Sequence, residues 1–168
     1  MSSEEFASLE KCISFIKESG IEVSYTDKEE ESFLPGISIS GGSLVINLDA
    51  LLYPGDLLHE AGHIAVVPAA ERALLNAEAI AARPNNDAEE IGAIAWSYAA
   101  AVHLDLDLSF VFHKDGYKGG SANILESFAD KRYIGLPLLQ WMGLTLDEKN
   151  AAEQHKSPYP SMIKWLRD

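Results

Sequence analysis

The sequence predicts an α+β domain in which a small β-sheet packs against two helices, with further helices towards both ends of the chain. Three observations predict it. Residues 21 to 48 hold short alternating stretches punctuated by turn-forming glycines. Residues 56 to 67 read as a helix with His59 and His63 at a spacing of four. Residues 88 to 104 read as a second, alanine-rich helix. A length of 168 residues suits one domain spanning 1–168, and no repeat, low-complexity segment or linker divides it.

The elements follow in order. Phe6, Leu9, Ile13 and Ile16 recur at helical spacing, and Gly20 supplies a stop, so residues 4 to 19 form a helix. Residues 21 to 25 alternate as a strand does. Residues 26 to 32, which include Glu29, Glu30 and Glu31, read as a solvated loop. Gly41-Gly42 joins strands 37–40 and 44–47 in a two-residue hairpin. Pro54-Gly55-Asp56 leads into the histidine helix, with Asp56 as its cap, and Pro68 ends it. A helix over 69 to 82 then runs to Arg83-Pro84. Asn85-Asn86-Asp87 caps the alanine-rich helix, whose apolar stripe comprises Ile91, Ile94, Tyr98 and Val102. Residues 108 to 112 read as a strand that could join the sheet, and 113 to 117 as the turn after it. Ser121 caps a helix to about Tyr133, 136 to 142 forms a short apolar helix, and 163 to 166 a final helical turn.

The net charge of −13 excludes nonspecific binding to nucleic acid or to anionic membrane, since both need basic surface. No apolar run reaches the length of a membrane span. The first residues lack the basic-then-apolar pattern of a secretory signal, and Cys12 is the only cysteine, so the expected compartment is the cytoplasm. Cys12 itself is expected in the core.

The most specific chemical signal is His59-Glu60-Ala61-Gly62-His63. On a helix, His59 and His63 share a face about one turn apart, and Glu60 stands beside them. This HExxH pattern suits a zinc ion (Zn2+) held by two imidazoles, with Glu60 as general base. A catalytic zinc needs a third protein ligand, for which Asp87, Glu89, Glu90, His103 and His113 are the downstream candidates. The long metzincin pattern needs a glycine at position 66 and a histidine at 69, where this chain has Val66 and Ala69. A glutamate from the second helix is the natural completion, and only helix phase separates Glu89 from Glu90. His113 and Tyr117, flanking a turn, are candidate donors to a developing oxyanion. Trp96, Trp141 and Trp165 read as packing residues, and His155 as a surface residue.

Glu90-Ile91-Gly92-Ala93-Ile94-Ala95-Trp96-Ser97, together with the HExxH stretch, resembles the two motifs of the ImmA/IrrE-type metallopeptidases. The resemblance covers about residues 37–104. It implies a zincin-like fold, His59, His63 and Glu90 as zinc ligands, Glu60 as general base, and a peptide or protein substrate of narrow, intracellular specificity. The second helix continues as Ala99-Ala100-Ala101-Val102-His103-Leu104, where that family commonly carries a Leu-Met-Pro-like signature. The rival expectation is a non-catalytic, metal-stabilised binding module, which would fill the fourth metal position with a protein ligand such as His113 or Asp87.

Overall fold

Gly41 and Gly42, both at positive φ (59° and 75°), make the tight turn that the hairpin expectation requires. In the computed structural model, which describes residues 1–28 and 34–168, this turn joins β2 (Ile37–Ser40) to β3 (Ser43–Ile46). β3 is the central strand: β1 (Val23–Tyr25) pairs with it in parallel and β2 antiparallel. The acidic stretch 29 to 31, expected as a loop, lies outside the described residues.

The chain opens with α1 (Ser3–Glu18), whose Ser2–Glu5 capping box satisfies its free amide ends and whose Leu9, Cys12, Phe15 and Ile16 are buried. After the sheet come α2 (Asp56–Ala65), α3 (Ala69–Arg72), α4 (Ala77–Ala81) and α5 (Asn86–His103). Then follow α6 (Leu108–Val111), a 3-10 turn at Tyr117–Gly119, α7 (Ser121–Ala129), α8 (Leu136–Trp141) and α9 (Glu148–Glu153). The architecture is α+β, with α2 and α5 packed together as its largest helix–helix contact. No helix among the described residues is long and apolar enough to cross a membrane.

Several elements depart from expectation. Residues 108 to 111 are helical, because the Asp107 carboxylate accepts from the Ser109 N–H at 2.8 Å and starts a turn; the sheet therefore gains no fourth strand here. The expected helix over 69 to 82 is two short helices. Between them Asn76 is extended, pairs with Ser40, and accepts from the Ala79 N–H to start α4 afresh. The stripe of α5 is also displaced: Ile91 and Val102 are exposed, while Ala93, Ala95, Ala99, Ala100 and Ala101 are fully buried. Small side chains are what let α5 sit close to its neighbours on several sides. Asn85 precedes α5 without a side-chain capping bond, and Ser121 begins α7 with its hydroxyl donated to the His113 carbonyl instead. Residues 163 to 166 form no helix but an irregular, bent segment, with the Ile163 N–H donated to the Leu144 carbonyl.

Candidate metal centre

One face of α2 anchors the centre by its burial: Leu57, Leu58, Ala61, Ile64 and Ala65 are at most 1% exposed. That burial fixes the helix phase and turns His59 and His63 together towards α5. Gly62 sets the depth of contact, since a Cβ there would lie 2.8 Å from the Ala93 carbonyl oxygen of α5. Glu90, almost one turn before Ala93, is thereby brought opposite both imidazoles.

The three side chains converge. His59 Nε2 lies 3.1 Å from His63 Nε2, Glu90 Oε1 lies 3.4 Å from His59 Nε2, and Glu90 Oε2 lies 3.1 Å from His63 Nε2. Ligands bonded to zinc at about 2.0–2.2 Å in a tetrahedral arrangement stand about 3.3 Å apart from one another. The observed triangle thus has the size of a metal's ligand face, and its donors are two imidazole nitrogens and a carboxylate oxygen. His59, His63 and Glu90 are close enough together to bind a metal ion.

Protonation differs between the two histidines. Burial, with the nearby His63, pushes the His59 imidazole down to about 3, so it is neutral with a lone pair available. Burial opposes charge on His63 as well, yet its hydrogen bond to Glu90 and the carboxylates of Glu60, Glu90 and Glu89 prevail and raise it. The bond from His63 holds Glu90 below the usual carboxylate range despite its partial burial. Burial raises Glu60, and the negative charges of Asp56 and Glu90 raise it further against the opposing pull of His63. A carboxylate so displaced accepts a proton more readily than an exposed one does.

The neighbouring glutamate has a different partner. Glu89 is buried and takes two bonds from Arg83, from Nε at 2.5 Å and from Nη2 at 2.9 Å. Asp87 is exposed. His103 is also exposed, its ring against Phe15 and Trp165, so neither joins the centre.

His113 and Tyr117 both reach the site, by a route the sequence did not disclose. Asp56 is not a cap; its buried carboxylate meets His113 Nε2 at 3.0 Å, and burial raises its pKa against that favourable contact. Tyr53 stacks on the His113 ring at 4.0 Å and bonds Asp115 through its hydroxyl. Tyr117 lies edge-on to His59, with ring centroids 5.1 Å apart. Both Tyr117 and Lys118 are in the left-handed region, at φ 52° and 54°, a conformation costly for side chains of this size. Gly116, Gly119 and Gly120 around them are a signal that could have extended the expected turn over 113 to 117. The Tyr117 hydroxyl, His59 Nδ1 and His113 Nδ1 are buried with no hydrogen-bond partner among the described residues. Burial raises Tyr117 against the opposing influence of the neighbouring Ser97 hydroxyl, keeping its own hydroxyl protonated.

Two cavities flank the triangle. The smaller, about 130 Å³, is lined by Tyr53, Asp56, His59, Glu90, His113 and Tyr117, among others. The larger, about 550 Å³, runs from Glu60, His63 and Glu90 between β2 and α4. Comparison with known proteins finds no matching family model, no matching curated protein and no matching solved structure.

Proposed function

We propose that this chain is a zinc-dependent metallopeptidase with a zincin-like fold, hydrolysing peptide bonds in a narrow set of peptide or protein substrates. The observation that carries the reading is the triangle of His59, His63 and Glu90 with the half-buried carboxylate of Glu60 on the same helix. The motif resemblance to the ImmA/IrrE-type peptidases assigns the same four residues to the same roles. Two imidazoles and one carboxylate suit zinc among the common divalent ions.

When bound, zinc supplies a Lewis acid and lowers the pKa of water to about 7. His59, His63 and Glu90 would hold it. Glu60 takes the proton of the attacking water and passes it to the leaving amine, a role its raised affinity for protons serves. Tyr117, whose protonated hydroxyl belongs to a ring edge-on to His59, is better placed to donate to a developing oxyanion than His113, whose Nε2 is engaged by Asp56. The non-catalytic alternative needs a fourth protein ligand. Among the described residues none joins the three, which favours the enzyme.

Zinc content of the purified protein tests the metal assignment. About one zinc per wild-type chain, lost in His59→Ala and in Glu90→Ala, is expected. Cleavage of a peptide library tests the chemistry: Glu60→Gln keeps the metal and loses at least about a hundredfold in rate, and Tyr117→Phe keeps the metal and loses about a hundredfold. Wild-type rates in Glu60→Gln would remove the mechanism, and folded protein that takes up no zinc would remove the whole reading.

A further inference from the structure

The larger cavity beside the triangle has walls of two kinds. Its aliphatic part is built by Ile37 and Ile39 of β2 and Ile80 of α4. Its carboxylates are Glu60, Glu90 and Glu78, and no lysine or arginine is among its described lining residues. Glu60 and Glu90 belong to the metal centre. Glu78 does not: it is exposed, and its carboxylate makes no hydrogen bond or ion pair with any described residue. Acids favour the first turn of a helix, which suits Glu78 at the start of α4. That preference is weak in a helix of five residues, and it does not account for an acid on the cavity wall.

A cleft lined by one sign of charge and low-dielectric walls concentrates ligands of the opposite sign. A volume near 550 Å³ is that of a groove able to enclose a short peptide stretch. We infer that this groove selects the substrate, taking a peptide segment in which an aliphatic side chain stands beside a lysine or arginine. The aliphatic side chain packs on Ile37, Ile39 and Ile80, and the cation faces Glu78. An acidic residue in that place is repelled by Glu78 and by the chain's net charge of −13. The inference rests on the peptidase reading for its substrate, and its test separates the two.

Two labelled peptides, identical except for lysine or glutamate beside a leucine, serve as probes. Binding is read by fluorescence anisotropy with the Glu60→Gln protein, and cleavage by mass spectrometry with the zinc-loaded wild type. The lysine peptide is expected to bind and be cut about tenfold better, the scale of one charge pair at the edge of a protein. Added to each background, Glu78→Gln removes most of the preference and Glu78→Lys inverts it, with zinc content unchanged. Equal handling of both peptides, binding of neither, or an unaltered preference in folded Glu78→Lys overturns the inference. Equal cleavage of both leaves the peptidase reading standing, whereas a lysine preference in binding without any cleavage sinks that reading and supports the groove.

Discussion

At Gly62 two preferences oppose each other. Alanine in mid-helix is favoured over glycine by about 1 kcal/mol. Its methyl group, however, would meet the Ala93 carbonyl oxygen at 2.8 Å and the Ala93 Cα at 3.0 Å, both parts of a backbone that cannot yield locally. Overpacking of this kind costs about 1–3 kcal/mol. The upper end applies here, so Gly62→Ala is expected to lose about 2 kcal/mol net in urea unfolding of the metal-free protein. It should also weaken zinc at least about tenfold, because it moves α5 and Glu90 away from the histidines. A stabilised variant with unchanged zinc affinity would show that close approach is not the glycine's role. The same residue marks what was legible from sequence: an HExxH pattern names two candidate ligands and a candidate base without any fold. Glu90 could not be separated from Glu89 that way, since adjacent residues differ by only a fraction of a turn. What distinguishes them is Arg83, held against Glu89 by a chain path that no local pattern reports.

At the scale of elements, Arg83 ties the α3–α4 region to the first turn of α5, bonding Glu71 of α3 at 2.8 Å as well as Glu89. Its removal strands a buried carboxylate, and breaking such a pair from one side costs about 3 kcal/mol. Arg83→Met is therefore expected to lose about that much in chemical denaturation, and Arg83→Met with Glu89→Leu to recover most of it. If the double variant is no more stable than the single, the loss comes from the arginine's packing and not from the stranded charge. The elements themselves were legible where local chemistry and tertiary contacts agree. The hairpin of β2 and β3, the two facing helices and the Gly20 stop of α1 are such cases. Residues 108 to 112 alternate like a strand, yet a single Asp107–Ser109 turn outweighs that pattern. The helix over 69 to 82 breaks because the hairpin takes Asn76 and the Leu75 carbonyl as partners, an interaction invisible to periodicity.

Over the whole molecule, the last residues reach back to the helix that carries the histidines. The Trp165 ring stands edge-on to Phe15 and Trp96, and its carbonyl accepts the Trp96 indole N–H at 2.9 Å. Arg167 donates its backbone N–H to the Ala65 carbonyl and its guanidinium to that of Val66, while lying over the exposed Trp141 ring. Arg72 bonds the Val67 and Arg167 carbonyls. The C-terminal end of α2, whose carbonyls have no partner within the helix, is thus closed by cations suited to its dipole. Arg167→Ala leaves the Val66 carbonyl short of a donor and removes the contact over Trp141, a combined loss of about 2 kcal/mol. Because the removed bond lies within one turn of His63, hydrogen exchange should quicken in the last turn of α2 more than in α1. If zinc binds as proposed, mass action couples it to folding: at a hundred times its dissociation constant it would stabilise the folded chain by about 2.7 kcal/mol, provided the unfolded chain does not bind it. If the closing segment helps hold the histidines in place, Arg167→Ala also lowers zinc affinity in a chelator competition, and excess zinc recovers part of the lost thermal stability. Unchanged exchange in α2 together with unchanged zinc affinity would confine Arg167 to a local surface role and leave the centre held by α2 and α5 alone.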